Sequence, residues 1–149
     1  MTASPKPSGP FDAVPRDQEQ RTKENDMGLD MMACVTREKL TKAVDFEPKR
    51  PDDVKPLHYW RKHPNLHGWM EQLYRDKGGA QEFNCVCLLL TPADLDQLEQ
   101  DIQAKVLPHT VGFFFGQSDG SEDADDLEFI RLAREAQQRG ESVFYTSWW

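Results

Sequence analysis

Seven side chains carry the chemistry that this sequence offers: Asp30, Tyr59, Trp60, Arg61, Lys62, His67 and Tyr145. Asp30 lies in the apolar run Leu29-Asp30-Met31-Met32, where an unpaired carboxylate is costly. It either pairs with Arg61 or lines a pocket. Tyr59-Trp60-Arg61-Lys62 stands just ahead of a helix start, where backbone N–H groups favour negative charge and an arginine adds a bidentate fork. Either these residues hold an anionic ligand, or the aromatics are core and the cations solvated. His67 borders an apolar stripe and is placed to bond Asp30 or a ligand.

As an enzyme, the chain would be a small hydrolase with His67 as general base, Asp30 orienting it and Arg61 stabilising developing negative charge. No nucleophile is assigned. The sequence is read as having no Gly-x-Ser-x-Gly elbow, and Cys34, Cys85 and Cys87 read as buried thiols without a neighbouring base. His63, His67 and Glu71 have a spacing that could align ligands on a helix. The His-Glu-x-x-His pattern is absent, and neither a metal nor a cofactor is expected.

The elements that must position these groups follow from patterning. An apolar strand is expected over 28–36, then a polar, proline-interrupted excursion over 37–57. Pro64 opens a helix whose stripe is Leu66, Trp69, Met70 and Leu73, stopped by Gly78-Gly79. Phe83 to Leu90 reads as a central strand, with Cys85 and Cys87 on one face. Thr91-Pro92-Ala93-Asp94 caps a second helix with Leu95, Leu98 and Ile102 inward, closed by Leu107-Pro108. Val111 to Phe115 reads as a strand, 122–139 as a helix stopped by Gly140, and Val143 to Trp149 as a closing strand. The two terminal tryptophans are expected inside the fold, because large aromatics must bury most of their area to stabilise it.

The fold class is therefore α+β, or α/β: one small domain over 27–149, about four strands with three helices packed on the sheet. Residues 1–26 are polar, hold Pro5, Pro7, Pro10 and Pro15, and read as a disordered extension. The chain lacks a secretory leader pattern and any membrane-length apolar run, so a cytoplasmic location, with reduced thiols, is expected. A formal charge of −8 disfavours ordinary nucleic-acid binding. Six acids stand within 119–128: Asp119, Glu122, Asp123, Asp125, Asp126 and Glu128. They are either helix-start chemistry or an acidic face for a basic partner.

The blocks Met27-Gly28-Leu29-Asp30-Met31, Tyr59-Trp60-Arg61-Lys62, His67-Gly68-Trp69, Gly112-Phe113-Phe114-Phe115-Gly116 and Phe144-Tyr145-Thr146-Ser147-Trp148 together resemble a family of small proteins encoded by tailed bacteriophages and prophages. The resemblance spans 27–149. One departure is Met32, where the family often has tyrosine. The resemblance implies a phage or prophage setting, in the cytoplasm of a bacterial host, and supplies no mechanism.

Three functions follow as expectations. The first is an accessory protein binding a small polar or anionic ligand in an aromatic and cationic pocket built from the seven residues. The second is an acidic interaction protein that inhibits or redirects a host protein. The third is the His67–Asp30 hydrolase.

Overall fold

Four strands and three helices form an α+β fold in the computed structural model, which describes residues 28–111, 118 and 120–149. In chain order these are β1 (Asp30–Thr36), a single 3-10 turn (Pro51–Asp53), β2 (Lys55–Arg61), α1 (Pro64–Asp76), β3 (Leu88–Leu90), α2 (Pro92–Gln103), α3 (Asp123–Gln138) and β4 (Ser142–Trp148). The sheet order is β2-β1-β4-β3, and every neighbouring pair is antiparallel.

Register decides which side chains can meet. Asp30 stands opposite Arg61 on one side and Trp148 on the other, while Met31 stands opposite Trp60 and Ser147. Because successive side chains alternate in direction, Met31, Ala33, Val35, His58, Trp60, Val143, Tyr145 and Ser147 share one face. That face is covered by helices. Leu66, Met70 and Tyr74 of α1, Leu95 and Leu98 of α2, and Phe129, Ile130 and Ala133 of α3 pack there in one apolar cluster. The Trp60 ring meets Phe129 edge-on at 4.9 Å between centroids.

Asp30, Met32, Cys34, Thr36, Tyr59, Arg61, Phe144, Thr146 and Trp148 occupy the other face. Its lower part is covered by the excursion over 37–54, with Phe46 set edge-on against Phe144 at 5.5 Å. Ser142 pins that excursion by accepting from the Leu40 N–H and donating to the Glu38 carbonyl, at 3.1 and 2.9 Å.

Local signals hold well where they depend on neighbours in sequence. Thr91 Oγ1 accepts from Asp94 N–H at 3.1 Å, and the Asp94 carboxylate accepts from Thr91 N–H at 2.8 Å, completing the expected capping box. Gly140 ends α3 with φ +86, a conformation that costs glycine least.

Four expectations are corrected. The excursion ends earlier than expected, because 55–61 is a strand. Pro56 is tolerated in it since β2 is an edge, with an irregularity opposite Ala33/Cys34. The segment 83–90 is not a central strand: the regular strand is Leu88–Leu90, last in the sheet order, with the Cys85 N–H reaching the Ser147 carbonyl at 2.7 Å and Val44 in an isolated bridge to Leu88. Cys85 takes φ +62 and is exposed, which breaks strand geometry and removes the alternation with Cys87. The second helix stops at Gln103, before Leu107-Pro108, with Lys105 at φ +58. Finally, Trp148 and Trp149 are 40% and 39% exposed, so the strand is internal while its last two rings are not sealed. Residues 1–26, the phenylalanine block 113–115 and both of its flanking glycines lie outside the described residues.

These burial differences predict unequal costs of truncation. Phe129→Ala removes a fully buried ring and should cost about 3 to 5 kcal/mol in urea denaturation. Trp148→Ala should cost no more than roughly 1 to 2 kcal/mol. Equal losses for the two would show that the exposed rings are as structural as the core.

Candidate functional site

α1 begins at a tight junction. Lys62 holds φ +59 and donates its N–H to the Leu29 carbonyl at 2.8 Å, turning the chain sharply from β2 into the helix. His63 then occupies the N-cap position but makes no side-chain cap. Its ring points to the start of α3. Nε2 lies 2.8 Å from Asp126 Oδ2, and Nδ1 lies 2.7 Å from Ser118 Oγ.

Asp126 is completely buried. Its other oxygen, Oδ1, accepts from the Trp60 indole N–H at 2.9 Å. An ionised carboxylate can only accept, so Nε2 carries the proton and the network assigns that tautomer to His63. In the neutral imidazole, Nδ1 is then the acceptor for the Ser118 hydroxyl. Ser118 Oγ in turn accepts the Asn65 N–H from the first turn of α1, at 3.1 Å. Four groups from β2, α3, the start of α1 and the preceding loop are thus joined in one line: Trp60, Asp126, His63, Ser118.

The line opens on a cleft of about 130 Å³ between the starts of α1 and α3. His63, Asn65, Ser118, Lys105, Glu122 and Asp123 line it, with Ile102 and Leu107 as apolar wall. Lys105 Nζ is 3.3 Å from Asp123, so the one lysine of the lining is already paired. Glu122 Oε2 lies 3.8 Å from His63 Nδ1.

The seven residues expected to build one pocket fall in four places. Asp30, Tyr59 and Arg61 cluster on the sheet face turned away from the helices. There Asp30 Oδ1 accepts from the Tyr59 hydroxyl and from Arg61 Nη1, the latter at 3.2 Å. The Asp30–Arg61 pairing expected as one of two alternatives is therefore present. Arg61 Nη2 is buried there without a hydrogen-bond partner. Trp60 points the opposite way and serves Asp126, while Lys62 is in the turn. His67 and Tyr145 lie in the helix-covered core, with His67 Nδ1 2.8 Å from the Tyr145 hydroxyl.

His67 is only 1% exposed, and burial lowers its pKa to about 4. Burial likewise pushes the Tyr145 phenol well above its usual value. The sheet separates His67 from Asp30 and Arg61, so the expected hydrolytic trio is not assembled. Burial also raises the Cys34 and Cys87 thiols to about 11, which suits neither as a nucleophile.

The described acids of the run are committed internally. Asp123 pairs with Lys105, Asp125 with His58 at 2.9 Å, Asp126 with His63, and Glu128 with Arg131. Glu122 accepts the Gly120 N–H at 3.0 Å. Among the described residues no helix is long and apolar enough to cross a membrane.

No family model, curated protein or solved structure matches the chain. The likeness to phage proteins rests on the sequence blocks alone.

His63, Ser118 and Asp126 were not singled out as site residues by sequence, yet each left a signal. Asp126 stands three and four residues before Phe129 and Ile130, in line with the buried stripe of α3. Ser118 is the centre of Gly116-Gln117-Ser118-Asp119-Gly120, which does have Gly-x-Ser-x-Gly spacing. Against the expectation of no such elbow, those five residues supply the spacing. Such a short pattern is weak alone; the contacts of Ser118 give it content.

The buried His67 predicts a pH response. Its folded pKa lies below the ordinary 6.5, so the unfolded chain binds the extra proton between pH 6.5 and 4, and stability is lost as pH falls through that window. The loss attributable to His67 should reach on the order of 2 to 3 kcal/mol by pH 4. Denaturation midpoints of wild type and His67→Gln should converge over this range. Parallel pH dependence in the two proteins would rule out His67 as its source.

Proposed function

We propose that the chain is a small accessory protein of the tailed-phage type that binds a small polar ligand in the cleft between the starts of α1 and α3. The observation that carries this reading is the buried Trp60–Asp126–His63–Ser118 line ending at an open cleft. Convergent polar groups beside an apolar wall are the ordinary make-up of a ligand site. A carboxylate and an imidazole are oriented there, beyond what helix capping requires, since His63 makes no cap at all.

The ligand follows from the lining. At about 130 Å³ the cleft is well below the roughly 300 Å³ of pockets for drug-sized molecules, so it suits a group of a few heavy atoms. Arg61 and Lys62 do not line it, and Lys105 is neutralised by Asp123. A compact polar group fits this lining better than a highly charged anion. The resemblance of the sequence blocks supports the phage setting. The host-factor reading draws less support, because each described acid of 120–128 already has a partner within the chain.

Acetate, acetamide and ethylamine are suitable probes of carboxylate, amide and amine character. In backbone amide spectra of the full chain, acetamide should shift Asn65, Ser118 and Gly120, with Tyr59 and Trp148 unmoved as controls. If all three probes leave the cleft amides unchanged at molar concentrations, the cleft is not a binding site.

A further inference from the structure

We propose that Ser118 is a nucleophile, with His63 as its general base and Asp126 as the positioning residue, and that the cleft takes small acyl esters and hydrolyses them. This rests on the cleft being the binding site and names what it does to its ligand.

Three requirements of serine acyl chemistry are met by separate observations. The nucleophile needs a base within hydrogen-bond reach, and Ser118 Oγ lies 2.7 Å from His63 Nδ1. The base needs its other nitrogen pinned by an acceptor that fixes tautomer and ring orientation. Asp126 does this at 2.8 Å while held from behind by Trp60 at 2.9 Å. The hydroxyl needs an environment that favours its anion, and the Asn65 N–H at the start of α1 donates to Oγ at 3.1 Å. The ring nitrogens are exchanged relative to the familiar serine-protease arrangement: Nε2 faces the carboxylate and Nδ1 the hydroxyl. Proton transfer requires only that one nitrogen accept while the other is held, so the roles survive the exchange.

The cleft selects acyl over phosphoryl transfer. Phosphoryl chemistry needs cations on the transferring oxygens. Here Lys105 is paired with Asp123, and Glu122 stands close to His63, so a phosphate dianion would be repelled. A neutral ester carbonyl brings no charge until attack.

The reaction balances with water as the only co-reactant. Ser118 Oγ bonds to the carbonyl carbon as its proton passes to His63 Nδ1, giving a tetrahedral oxyanion. Collapse breaks the bond to the alcohol oxygen, which leaves with the proton from His63. Water then attacks the acyl-serine, giving its proton to His63 Nδ1. The Oγ–carbon bond breaks, the proton returns to Ser118, and the products are a carboxylic acid and an alcohol.

The full-length chain treated with a fluorophosphonate should be modified at Ser118 in peptide mapping, and p-nitrophenyl acetate should acetylate the same residue. Ser118→Ala should abolish the modification and lower p-nitrophenyl acetate turnover by about 100-fold or more while circular dichroism stays unchanged. Ser142→Ala, at the start of β4 and outside the cleft lining, should be labelled at Ser118 like wild type. Asp126→Asn should slow modification and move the pH of half-maximal labelling downward, because the imidazolium loses the nearer of its two anionic neighbours while Glu122 stays 3.8 Å from Nδ1. If Asp126→Asn does not fold, Trp60→Phe, which removes the indole donor to Asp126 together with part of a buried ring, should slow modification to a smaller extent without the downward pH shift, because the carboxylate charge stays. A folded chain left unmodified at Ser118, or full turnover in Ser118→Ala, would overturn the proposal. If acetamide still shifts the cleft amides in that case, binding stands and catalysis alone fails; if neither is seen, both are withdrawn.

Discussion

Three parts of the molecule are held in register by the buried carboxylate of Asp126. A completely buried charge is tolerable only when its oxygens are met by donors, since leaving one unmet costs several kcal/mol. The two donors come from Trp60 of the edge strand β2 and from His63 at the start of α1. The requirement of one carboxylate therefore fixes how α3 sits against β2 and where α1 begins. The hydroxyl of Ser118 and the cleft beside it are positioned as a by-product of satisfying that charge. Removing either donor would leave the carboxylate short of a partner, so the site and the packing of the helices are not independent.

The sheet supplies the second constraint by separating chemistries. Alternation along β1 and β2 sends Trp60 and His58 toward the helices and Tyr59 and Arg61 away from them. The Asp30–Tyr59–Arg61 cluster consequently lies on the face turned away from the described helices, with Arg61 Nη2 buried there without a partner. The imidazole of His67 and the phenol of Tyr145 satisfy one another inside the core, with the His67 ring 4.9 Å from that of Phe83. A histidine held neutral by burial in this way is a packing element with a polar edge.

Much of the fold was legible because its determinants are local. The Thr91–Asp94 capping box, Pro64 at the first position of α1, the Gly140 stop and the Leu95/Leu98/Ile102 stripe each depend on residues within a few positions of one another. β2 was not legible, since Lys55, Pro56 and Arg61 disguise an edge strand whose pairing with β1 is set by tertiary contacts. The length of the 83–90 strand was misjudged because apolar residues there serve burial without extended geometry at Cys85. The site was less legible for the same reason: His63 and Asp126 are 63 residues apart, and His63 and Ser118 are 55 apart. Within a run of six acids, composition identifies a helix start. The inward phase of α3 singles out Asp126, the buried one among the described acids of the run.

The excursion over 37–54 has a consequence for motion. Among the described residues it covers the lower part of the face turned away from the helices, where Cys34 lies beneath the Phe46–Phe144 contact. Ser142 holds its start, the Asp45 N–H donates to the Cys87 carbonyl at 3.0 Å, the Leu89 N–H donates to the Ala43 carbonyl at 2.9 Å, and the Tyr74 hydroxyl donates to Asp45 at 2.7 Å. Val44 also meets Leu88 in an isolated bridge and packs against the main core. Cover and body therefore share hydrogen bonds and core contacts, so loosening the one draws on the stability of the other.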